Sequence, residues 1–180
     1  MRTILRILAI SLGIILLVAI NIGLSYILPF PYSKLNILFA IIILLMLWWN
    51  SGFIVWLSFF SHLFMELYTT TPFGVILFSS TISILFSYWL YKYIFTNRSI
   101  LSTIALASFT LIIFRLIYTF LLIICKIFNI INDIPWKLIS ITFIWEFVTT
   151  LLFVIILYFI LNKITHRFNM SVIEKYTFKI

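Results

Sequence analysis

Four ionisable side chains stand inside otherwise apolar stretches of this sequence: His62, Glu66, Arg115 and Glu146. If those stretches cross a bilayer, each such group costs at least about 2.5–3.5 kcal/mol to place there, so each needs a chemical reason. His62 and Glu66 are four residues apart, which on a helix puts them on one face with Ser58 a turn earlier. Zinc asks for four ligands, or three and a water. No further histidine or carboxylate cluster supplies the remainder, because His166 falls in the C-terminal tail. The pair therefore reads as a hydrogen-bonded polar seam, and no metal is expected. Cys125 is the single cysteine, so neither an intrachain disulfide nor a thiolate cluster can form. Flanked by Ile123, Ile124 and Ile127, it resembles a small buried hydrophobe. No nucleophile elbow, P-loop or paired carboxylates occur, and four glycines leave little for a phosphate cradle. The expectation is a protein that is not an enzyme and carries no cofactor.

Arg115 and Glu146 can be placed relative to each other. If the two apolar stretches that hold them run in opposite directions, Arg115 lies about 15 Å along its helix from Cys125, and Glu146 about 12 Å from Leu138. The two then share a depth. Each also sits on a polar stripe: Ser108, Arg115 and Thr119 on one helix, and Thr142, Glu146, Thr149 and Thr150 on the other. A buried Arg115–Glu146 ion pair that locks the two helices is the expected arrangement. The same groups could alternatively serve a substrate, a proton or a partner.

The elements that must position these residues follow from composition. Of 180 residues, 65% are hydrophobic and 9% are charged. A soluble domain carries about 25% charged residues, and this chain has too few polar side chains to coat a soluble fold. The bilayer is the expected solvent. Six apolar segments run at about 4–28, 35–48, 53–67, 73–95, 100–125 and 138–161, separated by breaks rich in Pro, Gly, Asn or charge. Helices are the default in lipid, which offers the backbone no hydrogen-bond partners. The fold class expected is all-α, a polytopic transmembrane helical bundle whose second and third spans are short. The first segment is read as a span rather than a cleaved signal, because its apolar run continues from Ile7 to Leu28 with no small-x-small site after it.

The formal charge of +8 comes from 12 Lys and Arg against 4 Asp and Glu. These bases sit at segment ends, where they set topology and meet anionic lipids, so nucleic acid is not an expected partner. With six spans and a cytoplasmic N-terminus, Arg2, Arg6, Lys92, Arg98, Lys163, Arg167, Lys175 and Lys179 fall inside, and only Lys34, Lys126 and Lys137 outside. A five-span reading, with 35–67 as one helix, divides the charges less well and strands Arg2 and Arg6 outside. Six spans with both termini cytoplasmic are expected. In the tail, 162–180, Phe168, Val172, Tyr176 and Ile180 recur every four residues among basic ones. That spacing permits an amphipathic helix on the inner leaflet; an unstructured basic tail is the alternative.

The stretch Phe64-Met65-Glu66-Leu67-Tyr68-Thr69-Thr70-Thr71-Pro72-Phe73-Gly74 has a definite shape: an acid ending a short span, a small polar turn, then an apolar-Gly pair opening the next span. It resembles the signature region of the rod-shape-determining MreD family, which has an Asp-Leu pair, a small polar turn and Leu-Gly at those places. Length, six-span layout and the short spans 2 and 3 are also similar. This chain departs from the pattern in having Glu66 for the usual Asp, and in carrying Arg115. The resemblance implies a non-enzymatic component of the cell-elongation machinery in the bacterial inner membrane. Its partners would be an MreC-like protein and the peptidoglycan-synthesising complex. Glu66, Pro72, Phe73 and Gly74 would form an outer-face turn presented to them. Pro72 would suit a helix's first position, and Gly74 would admit a neighbouring helix. A membrane-embedded substrate-binding or transport subunit is the alternative, with Glu66, Arg115 or Glu146 as ligand groups.

Overall fold

The computed structural model describes the backbone of residues 2–49, 51–95 and 99–177, and the side chains of 10–48, 51–95 and 99–163. It contains six α-helices and, among the described residues, no strand: α1 (Arg2–Ile27), α2 (Ile37–Trp49), α3 (Phe53–Glu66), α4 (Val75–Tyr93), α5 (Ile100–Ile127) and α6 (Trp136–Thr177). A 3-10 turn, Tyr32–Lys34, lies between α1 and α2. The chain is an all-helical membrane bundle. Four helices are long and apolar enough to cross a bilayer, with spanning stretches Ile10–Ile27, Val75–Tyr93, Ile100–Ile127 and Trp136–Lys163. The other two, α2 and α3, have 13 and 14 residues. At 1.5 Å per residue they are about 20 Å long, short of the ~30 Å hydrocarbon thickness.

Shortness has different consequences for the two. α2 is enclosed: Ile37, Leu38, Phe39, Ala40, Ile42, Ile43, Leu44, Met46 and Leu47 are each no more than 4% exposed. It packs against α1, α3, α5 and α6. A helix apolar all round belongs in such a central position, where its sides meet protein and not lipid. α3 lies between α1 and α4 and leaves Trp56 and Phe60 exposed.

Successive helices alternate in direction. Asn21, near the end of α1, meets both the start of α2 and Met65 at the end of α3. At the opposite end, the Tyr91 hydroxyl of α4 donates to the carbonyl of Leu47 in α2 at 3.4 Å. The start of α1 and the end of α6 consequently lie at one end of the bundle, called here the inner end. α2 and α3 are recessed from the outer end. Asn36, just before α2, bonds Glu146, which lies about 15 Å below Trp136 along α6.

Most helix ends lie within two residues of the sequence reading, and two of the differences matter here. α4 starts at Val75 and not at 73, because residues up to Gly74 are taken up by the turn. α6 continues unbroken to Thr177, so the backbone of 162–177 extends the last span and is not a separate element. Side chains of the tail beyond residue 163 lie outside the described residues, as do the polar break 96–98 and residues 178–180. α5 begins cleanly at Ser99, whose hydroxyl accepts the amide of Ser102 at 3.2 Å, a standard N-cap.

α4 carries the close packing. Ser79, Ser80, Ser83 and Ser87 are fully buried, and each donates its hydroxyl to a carbonyl one turn back in its own helix. A serine satisfied in this way is in effect a small residue, which lets α3 and α5 approach closely. Ser87 also meets Thr110 of α5, Oγ to Oγ1, at 2.6 Å.

Candidate functional site: two buried polar junctions

The first junction joins α3 to α4 and is built on Glu66. This residue is only 3% exposed. Its Oε1 accepts the backbone N–H of Gly74 at 2.7 Å and of Ile76 at 3.0 Å. Those amides belong to the first turn of α4, which has no intrahelical acceptors for them. A carboxylate there also faces the positive end of the helix dipole. Glu66 organises the other side of the turn through its main chain: its carbonyl accepts the amide of Thr69 at 3.1 Å and the Thr69 hydroxyl at 2.9 Å. One residue thus ends α3 and caps α4. Gly74 has φ +98°, a left-handed conformation that glycine adopts freely.

This geometry corrects three expectations for the turn. Pro72 is not the first residue of α4; it lies within the turn and its carbonyl accepts the amide of Val75 at 3.3 Å. Gly74 is required by its backbone conformation, since a Cβ there would meet the Phe78 ring of its own helix at 3.3 Å and no neighbouring helix. Glu66 and Gly74 lie buried within the turn and not on its surface, whereas Phe73 is 71% exposed.

One turn before Glu66, His62 is also buried and packs its ring on Phe39 of α2, centroids 5.0 Å apart. Its Nδ1 lies 2.8 Å from the Ser58 carbonyl oxygen and 3.2 Å from the Ser58 hydroxyl. The Ser58–His62–Glu66 seam read from helical spacing is thus one buried face of α3. Among the described residues, no group of three or more His, Cys, Asp or Glu side chains is arranged to hold a metal.

The second junction ties four helices. Arg115 Nη2 donates to Glu146 Oε2, pairing α5 with α6. The guanidinium also lies over the rings of Phe114 and Tyr118, 5.6 and 5.4 Å from their centroids, a cation–π setting. Glu146 Oε1 accepts Asn36 Nδ2 at 2.9 Å. Asn36 caps α2 with its Oδ1, accepting the amide of Phe39 at 3.2 Å, and its own amide donates to Thr150 Oγ1 at 3.0 Å. Asn21 of α1 accepts the amide of Ile37 at 2.9 Å. Three of the four amides from the cap residue Asn36 to Phe39 are therefore met by side chains from α1, α6 and the cap itself, deep in the bundle. The site residues His62 and Glu66 fall in one junction, Arg115 and Glu146 in the other.

Sequence reasoning missed Asn21 and Asn36. Both carried a signal: Asn36 immediately precedes an apolar run, the position of an N-cap, and Asn21 is an amide inside a span, which asks for a partner as a charge does.

No family model, curated protein or solved structure matches this chain.

Proposed function

We propose that the chain is a non-enzymatic scaffold of the bacterial inner membrane, of the MreD type, acting in the cell-elongation machinery through contacts with an MreC-like protein and the peptidoglycan-synthesising complex. The observation that carries this reading is the Glu66–Gly74 hydrogen bond. It gives the stretch that resembles the family signature a physical rationale: an acid closing one short helix, a polar turn and a glycine at positive φ form a single capping device. Phe73 is left exposed by that device, as are Leu67 and Tyr68 on its other side, and these side chains are available for contact. The test is depletion in the bacterium that carries the gene, followed by microscopy. Rods that round up support the scaffold, and unchanged shape counts against it.

One observation favours a second reading, a substrate-binding or transport subunit: α2 begins deep in the bundle, and buried helix N-termini are places where membrane transporters hold anions. The scaffold is preferred because three of those amides are already occupied by Asn21, Asn36 and Thr150. Measurable binding of a small anion to the purified chain, lost in Asn36→Leu, would favour the second reading.

A further inference from the structure

The α3 seam leaves two buried atoms over. Glu66 Oε1 takes both amide bonds to α4, while Oε2 has no hydrogen-bond partner among the described residues. His62 Nε2 is likewise buried without one. The ring's tautomer is fixed by its other nitrogen: Nδ1 faces the Ser58 carbonyl, which can only accept, so Nδ1 carries the hydrogen. In the neutral ring Nε2 is then a bare lone pair. The carboxylate oxygen is also an acceptor.

Two acceptors cannot satisfy each other, and an acceptor left unmet in the interior is destabilising. Their side chains are a helical turn apart on one face, about 5–6 Å between Cβ atoms. What fits is small and brings two hydrogens. A bound metal ion is a poor occupant, because zinc needs at least three protein ligands and calcium or magnesium about six oxygens. We propose that His62 Nε2 and Glu66 Oε2 hold one internal water molecule between them, which donates one O–H to each.

Such a water completes the satisfaction of the buried groups as internal waters do elsewhere, commonly with two to four hydrogen bonds. It makes the orientation of His62 part of the same hydrogen-bonded chain, from Ser58 through to Gly74. The site is independent of the scaffold reading and stands or falls separately from it.

The direct test is a structure of the full chain in lipid at a resolution that shows buried waters. A peak within about 2.6–3.2 Å of both atoms is expected. The proposal is overturned by a direct His62–Glu66 hydrogen bond, by a peak touching only one of the two, or by no peak where other buried waters are visible. Infrared spectra of the wild-type chain in nanodiscs give a second test. The Glu66 band, identified by its loss in Glu66→Gln, should be that of a carboxylate and should change in His62→Leu. A protonated-carboxyl band, or a carboxylate band unmoved by the histidine substitution, overturns the shared water. If His62→Leu does not fold, the wild-type band and the structure decide alone.

Discussion

Glu66 reaches across an eight-residue interval to accept the backbone amide of Gly74, so the side chain that closes one helix opens the next. The turn between them therefore has little freedom. A long Thr-rich connection would otherwise be the natural weak point of a bundle with two short helices.

Removing that carboxylate should loosen the α3–α4 junction. Charge-assisted hydrogen bonds contribute about 1.5–3 kcal/mol. Glu66→Ala is expected to lower the unfolding free energy of the purified chain by about 2–3 kcal/mol, with Glu66→Gln milder because its carbonyl can still accept. Equilibrium unfolding in bicelles would measure both. Equal stability of wild type and Glu66→Ala would remove the cap from the account.

Gly74→Ala tests the backbone half of the same device. At φ +98° an L-residue is strained, costing about 1–2 kcal/mol, and the new Cβ would crowd Phe78. By contrast Gly13→Ala, where a Cβ meets nothing within 4 Å, should be close to neutral or slightly stabilising. The contrast between two glycine substitutions in one thermal-stability series is the readout.

The Arg115–Glu146 pair should behave asymmetrically in a charge swap. Breaking a buried pair by removing one partner costs about 3–5 kcal/mol, so Arg115→Leu and Glu146→Leu should each give poor yields of folded protein. The double reversal, Arg115→Glu with Glu146→Arg, should recover only part of the loss. Asn36 Nδ2 donates to Glu146 in the native chain, and an arginine in that place offers it no acceptor. Adding Asn36→Asp to the double reversal should improve recovery, as judged by monodispersity in detergent.

Ser87 and Thr110 meet directly across α4 and α5, but both hydroxyls also have carbonyl acceptors in their own helices. Their coupling in a double-mutant cycle of alanine substitutions should be modest, about 0.6 kcal/mol. A value above about 2 kcal/mol would mean that the pair is a principal bond and not a by-product of small-residue packing.

Orientation can be checked chemically. With Cys125 replaced by Ser, a cysteine at Ser51 should react with a membrane-impermeant thiol reagent only from the cytoplasmic side. One at Asp133, which is exposed in the α5–α6 connection, should react only from the other side. The reverse pattern would contradict the arrangement read from the basic residues.

Much of this was legible in the sequence because it rests on coarse physical quantities. Apolar runs and their breaks gave six helices, and counting residues from helix ends placed Arg115 and Glu146 at one depth. What the sequence concealed was the destination of side chains that reach across turns. Helical spacing relates Glu66 to His62, but nothing local says that its carboxylate will meet the amides of Gly74 and Ile76. From sequence alone Gly74 reads as a helix-packing glycine for the same reason, since a positive φ leaves no trace in composition. Asn21 and Asn36 were overlooked because uncharged amides attract less suspicion than ions, although a helix starting deep in the bundle needs acceptors for its first amides just as much.

The enclosure of α2 bears on how the chain is made. Asn36 bonds Thr150, a partner 114 residues further along, and Glu146 arrives almost as late. A ribosome delivers the second helix long before the residues that meet its first turn exist. Until the sixth helix has entered the membrane, the second must wait with part of its cap unmet, beside incomplete neighbours. Assembly of the bundle can therefore finish only after synthesis is nearly over. A chain truncated before Trp145 should be a substrate for membrane quality control rather than a smaller working version of the protein.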